Sequence, residues 1–228
     1  MGKIIKWIVV AFFASTILAV VFYKVVPVWF TPLMFIRIAE QVGDGHMPKM
    51  HHRWVSIDEM TPNMPKAVMA SEDSRFLQHH GFDFDAIQKA AKHNRKGGTM
   101  HGASTITQQT AKNVFLWPGR SWVRKGLEMY FTVLIEFVWG KERIMEVYLN
   151  SIEMGDGIYG VDAVAEDHFE KTAETLSKRD CALIAATLPN PRKFSSKDPS
   201  SYMLKRQKRI VREMNFVKWP YRKIENEK

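Results

Sequence analysis

Apolar residues follow two different patterns along this chain. From Trp7 to Tyr23 they form a charge-free run, and flanking apolar residues extend it to about Val26. That reaches the ~20 residues needed to cross a hydrocarbon core. Lys3 and Lys6 precede the run, which argues for a cytoplasmic N-terminus by the positive-inside tendency. Trp7, Tyr23 and Trp29 are placed as interfacial anchors. The alternative is a cleaved signal peptide, but no clear small-x-small site follows, so the run reads as a retained anchor. Pro27 and Pro32 then oppose any continuation of its helix.

Beyond the anchor, apolar positions recur at helical rather than strand spacing, so the soluble part is expected to be mainly α. Residues 31–61 read as a short helix and a membrane-proximal linker; His46, His51 and His52 in it lack metal-ligand spacing. Pro65 opens a helix that Gly81 closes, and Asp83 caps a second running to about Lys92. The basic, Gly-rich stretch from Arg95 to Gly102 has the makings of a mobile loop. Thr105 and Gln108 match a capping box, so another helix begins there. Phe131 to Trp139 is a core or lipid-touching helix, and Lys141 to Asn150 an amphipathic one. Ser151 to Gly160 reads as a loop, followed by helices over Val161–Phe169 and Leu176–Leu188, the latter stopped by Pro189. Ser200 to Lys218 is a basic amphipathic helix with a solvated face.

Three places break the ordinary division of polar outside and apolar inside. Val68, Glu72, Phe76 and His79 fall at helical steps, which puts a carboxylate on an apolar stripe. Acids are seldom buried without a partner or a task, so Glu72 is a candidate catalytic acid or base. Thr105, Gln108, Gln109 and Lys112 share another face, rich in uncharged hydrogen-bonding groups that suit sugar hydroxyls. Arg120, Arg124, Lys125 and Glu128 follow closely. They read either as a weak surface ion pair between Arg124 and Glu128, or as a clamp for phosphate or diphosphate.

Composition narrows the choice. The chain has 228 residues, 46% hydrophobic, enough for one sizeable core but not two large domains. A net charge of +9 suits an anionic membrane surface, a phosphorylated substrate or nucleic acid, and no nucleic-acid-binding module is recognisable. Cys181 is the only cysteine, which excludes an intrachain disulfide and leaves it as a small buried residue. No serine stands in a Ser-x-x-Lys motif, so a penicillin-sensitive transpeptidase activity is not expected.

Five blocks in order resemble the peptidoglycan glycosyltransferases of glycosyltransferase family 51, and the Thr31-Pro-Leu-Met segment with the single anchor resembles their monofunctional Gram-negative branch. The blocks are Glu72-Asp73 with Phe76, His79, Gly81 and Asp83; Gly102 with Ser104-Thr-Ile-Thr-Gln-Gln, Lys112-Asn113 and Leu116; Arg120 with Arg124-Lys125 and Glu128; Lys141, Ile144, Glu146 and Tyr148-Leu-Asn; and Leu176 to Pro191. In the last, Asp180-Cys181 stands where the family usually has Glu-Ala. The resemblance covers roughly Trp54 to Pro191, and the first three blocks together make it highly specific.

The resemblance implies a lysozyme-like glycosyltransferase domain over 54–228, behind an anchor over 1–27 and a linker over 28–53. It implies polymerisation of lipid II at the periplasmic face of a bacterial inner membrane. Glu72, as general base, and Glu128 are then the catalytic residues, Lys112, Arg120 and Arg124 steady the leaving diphosphate, and Asp73, Phe76, His79, Ser104, Thr105, Gln108, Gln109, Asn113 and Lys125 bind substrate. Glu128 orients the cations or holds a divalent metal, magnesium or manganese; the sequence itself demands no cofactor. Implied partners are lipid II, the nascent glycan strand, membrane lipid and other cell-wall synthesis proteins. Two rival readings are a lysozyme-like hydrolase pairing Glu72 with Glu128, and a non-catalytic membrane scaffold that binds lipid II or anionic lipid through its basic face.

Overall fold

In a computed structural model, which describes residues 2–95, 97 and 102–221, the charge-free run is helix α1 (Gly2–Tyr23). An 18-residue stretch of it has a mean hydropathy of 2.4, and its 22-residue length is enough to cross a bilayer. Most of its surface is exposed, but one strip is fastened to the rest of the chain. Val20 is fully buried, and its carbonyl accepts a hydrogen bond from Trp139 Nε1 at 2.7 Å. Arg143 Nη2 donates to the carbonyls of Tyr23 at 2.8 Å and Val26 at 2.6 Å. These are carbonyls that a helix end leaves without an internal partner.

Thr31 caps α2 (Pro32–Gly43), with Pro32 at its first position. Strand β1 (His51–His52) follows, then a single 3₁₀ turn over Ile57–Glu59. Helix α3 covers Asn63–Glu72 and α4 covers Phe84–Arg95, with Asp83 Oδ1 accepting from the Ala86 amide at 2.9 Å as its cap. Next come α5 (Ile106–Phe115), α6 (Trp122–Val138) and α7 (Gly140–Ser151). A hairpin of β2 (Glu153–Gly155) and β3 (Ile158–Tyr159) leads to α8 (Val161–Phe169), α9 (Lys178–Thr187) and α10 (Ser201–Glu213). The fold is mainly α, as the spacing predicts. Helix α5 packs between α6 and α7, and α9 between α3 and α10. Phe76, Ile106, Ile144, Tyr148 and Ile184 are fully buried between them, and Cys181 is buried in α9.

Three expectations change. Helix α3 ends at Glu72 instead of running to Gly81, so Glu72, Phe76 and His79 do not share a helix face. Asp73 breaks it: its backbone leaves the helical region, and its carboxylate takes hydrogen bonds from the Ile106 amide and from His79 Nε2, each at 3.0 Å. Residues 28–53 are not a free linker, since α2 packs on α5 and β1 pairs in parallel with β3. Ser151 to Gly160 is not a plain loop but holds β2 and β3, an edge strand and the central strand of a sheet ordered β1-β3-β2. Phe131 to Trp139 is the second half of α6, with Phe131, Ile135 and Trp139 in the core and Phe137 90% exposed. The expected mobile loop at Arg95–Gly102 lies largely outside the described residues.

Candidate active site

Glu72 is the last residue of α3, where the chain turns away and leaves its carboxylate partly open, with 15% of the side chain exposed. Ser71 Oγ donates to Oε1 at 2.8 Å and Gln109 Nε2 to Oε2 at 3.3 Å. Arg206 of α10 lies 3.5 Å from Oε1, and its Nη2 donates to Ser71 Oγ at 2.9 Å. The fully buried Tyr148 donates to Gln109 Oε1 at 3.1 Å, which fixes which end of that amide faces Glu72. Burial pushes the Tyr148 phenol well up, so it stays a donor. The carboxylate thus keeps its place through neutral donors and one cation.

Below it lies a supporting layer. Asp73 and His79 are both buried and bonded to each other. Phe76 is fully buried, with the Lys141 ammonium 4.5 Å from its ring centre. Thr105 Oγ1 accepts from the Gln108 amide, and Gln108 Oε1 accepts from the Thr105 amide at 3.0 Å, closing the capping box. Thr105 Oγ1 also donates to the Gly81 carbonyl at 2.6 Å, tying α5 to the turn below Glu72. Thr105 and Gln108 are 2% and 5% exposed, so these two are not on an open sugar-facing surface. Their polar atoms cap the helix that carries Gln109 and Lys112.

Gln109 also lines a cavity of about 420 Å³, together with Lys112, Asn113, Arg120 and Arg124. That volume is in the range of small-molecule sites. Ser121 caps α6, its Oγ accepting from the Arg124 amide at 3.1 Å, which sets Arg124, Lys125 and Glu128 on the first two turns. Glu128 is 3% exposed and Arg124 9%, so their 2.8 Å ion pair is buried, not the weak surface pair that spacing alone allows. Lys125 pairs with the other oxygen of Glu128. Burial pushes the Lys112 ammonium below its ordinary value, with Arg124 and Lys125 pushing the same way and Glu128 opposing them. Arg120 is exposed, in the turn before α6. Ser104 is exposed ahead of α5 and lies outside both the cavity lining and the layer under Glu72.

The residues around Glu128 do not fit a divalent metal. Both carboxylate oxygens already face cations. Among the described residues there is no group of three or more His, Cys, Asp or Glu side chains able to hold one. Glu128 orients Arg124 and Lys125 instead. His51 likewise pairs with Asp167 at 3.2 Å, and His52 with the Asn150 carbonyl at 2.9 Å.

Arg206 and Ser71 are the site residues that the sequence did not single out. Arg206 was one of several cations on a basic helix, and nothing in its spacing distinguishes it from Arg209 or Arg212. Only the packing of α10 against α3 brings it to Glu72.

Known proteins resemble this chain over most of its length. Residues 40–215 match the family model described as transglycosylase. The chain is 60% identical over 218 residues to a biosynthetic peptidoglycan transglycosylase of Bacteroides thetaiotaomicron, covering 94% of this chain and 88% of that protein. Proteins of the same description from Bdellovibrio bacteriovorus and Pseudomonas fluorescens are 54% and 47% identical, over 90% and 93% of this chain and 84% and 87% of theirs. With the match running through every block that forms the site, the chain belongs to the transglycosylase family.

Proposed function

We infer that the protein is a peptidoglycan glycosyltransferase that extends a glycan strand with lipid II, using Glu72 as base and the Lys112–Arg124 cavity as the seat of the leaving diphosphate. The observation that carries this is Gln109, which donates to Glu72 and lines the cation cavity at once. Base and leaving-group site are therefore neighbours. Glu72 takes the proton of the acceptor's GlcNAc 4-hydroxyl. That oxygen bonds to the anomeric carbon of the donor's MurNAc, while the bond from that carbon to the diphosphate oxygen breaks. The electron pair leaves with the diphosphate, and attack from the opposite face gives a β-1,4 link. Diphosphate is a good leaving group, so the site needs charge stabilisation more than a strong acid. Lys112, Arg120 and Arg124 supply it as preorganised cations.

Glu128 keeps Arg124 and Lys125 in place. This arrangement disfavours a hydrolase with paired carboxylates, because both oxygens of Glu128 are already engaged by cations. Helix α1 is compatible with a single-pass anchor. We place the catalytic domain on the periplasmic face of the inner membrane, where a lipid-borne substrate reaches it at high effective concentration. The test is to supply the purified protein with lipid II and, separately, with finished glycan. Chain growth on the first without degradation of the second is expected; degradation without growth contradicts the reading.

A further inference from the structure

The cation cavity has a wall that the chemistry above leaves unused. Leu33 and Arg37 of α2 line it, with Glu153 of β2. Arg37 precedes residue 40, where the match to the transglycosylase family begins. Two carboxylates hold its guanidinium: Nη1 donates to Glu40 at 2.6 Å and Nε to Glu153 Oε2 at 3.4 Å. Nη2 is left without a partner among the described residues. Glu153 is 4% exposed, and its Oε1 is buried with no hydrogen-bond partner. A buried carboxylate with an open oxygen is costly unless it keeps something else in place. Burial pushes the Glu153 carboxyl up, and Arg37 and Arg192 pull it back.

The lining of the cavity is divided in character. Lys112, Arg120 and Arg124 are cationic, while Leu33, Leu116 and Trp117 are apolar. A ligand with a compact anionic head and an apolar tail matches both halves. We propose that Arg37 is a further binding residue for the diphosphate of the prenyl-linked donor, that Glu153 positions it, and that Leu33 and Trp117 pack against the first isoprene units. This rests on reading the cavity as the leaving-group site. With Nε and Nη1 on carboxylates, Arg37 keeps Nη2 and its two N–H bonds to donate to phosphate oxygens. The two carboxylates orient that nitrogen before the ligand arrives, which lowers the ordering cost of binding.

The test titrates farnesyl diphosphate, with farnesol as the uncharged control, against the full chain in detergent micelles. Arg37→Gln is expected to bind farnesyl diphosphate at least about tenfold more weakly, with farnesol binding unchanged. Glu153→Gln is expected to weaken it in the presence of Arg37 and to add little in the Arg37→Gln background, the non-additivity of a positioning residue. If Arg37→Gln melts early, Arg37→Lys decides: a several-fold loss supports the proposal, and full affinity overturns it. An Arg37→Gln protein that stays folded and binds within twofold, while Arg120→Gln loses binding, also overturns it and leaves the cavity reading standing. Absence of binding by the unaltered protein overturns both.

Discussion

A glutamate acts as a base only if its surroundings hold it charged, oriented and within reach of substrate. Ser71, Gln109 and Arg206 each touch the Glu72 carboxylate, and they come from three different helices or helix ends. Arg206 is a positioning residue. Arg206→Ala is expected to lower kcat about tenfold with little change in KM, and Arg206→Lys to restore part of it. Chain-growth kinetics on lipid II check this, and an unchanged kcat contradicts it. Lys112 gives a pH-dependent counterpart. Its ammonium is pushed down by burial, so it loses its charge at a lower pH than the ~10.4 of an exposed lysine. The alkaline limb of kcat/KM is therefore expected below that value. It should move up in Lys112→Arg, whose guanidinium stays charged; a limb that does not move removes Lys112 from leaving-group binding.

At the scale of elements, the sequence showed most helices and the bounds of some, Val161–Phe169 among them, but not the end of α3. The Thr105–Gln108 box was legible because a capping box is a local, spacing-defined device. The end of α3 was not, because Asp73 leaves the helix for partners far along the chain, including the amide of Ile106. Gly81 was read as a helix cap; it takes the left-handed conformation, φ +84°, but in the turn that α5 and α6 close. A Cβ there falls 2.8 Å from Thr132 Cγ2 and 3.1 Å from Glu136 Cγ. Gly81→Ala is expected to cost about 2 kcal/mol in urea unfolding, from both the backbone and the overlap. Because Thr105 Oγ1 bonds to the Gly81 carbonyl, activity should fall as well; a variant as stable and active as the original contradicts the tight-turn account.

For the whole molecule, α1 and α2 are fastened to the helices that carry the candidate site. Arg143 and Trp139 bind carbonyls at the end of α1, and α2 brings Arg37 to the cation cavity. The charge-free run, the helical class and the acid and cation blocks were readable because each is carried by local composition or spacing. The burial of Glu128, the role of Arg206 and the wall formed by α2 were not, because they depend on which helices meet.

The proposed reaction turns on a proton leaving a sugar hydroxyl for one carboxylate beside the diphosphate cavity. Glu72→Gln keeps the shape and the hydrogen-bonding edge of that side chain but removes its basicity. The most direct measurement follows chain growth and lipid II binding side by side in this variant. Binding within about twofold of the unaltered protein, with growth lowered by at least about a thousandfold, is the expected result. Growth at the unaltered rate contradicts it.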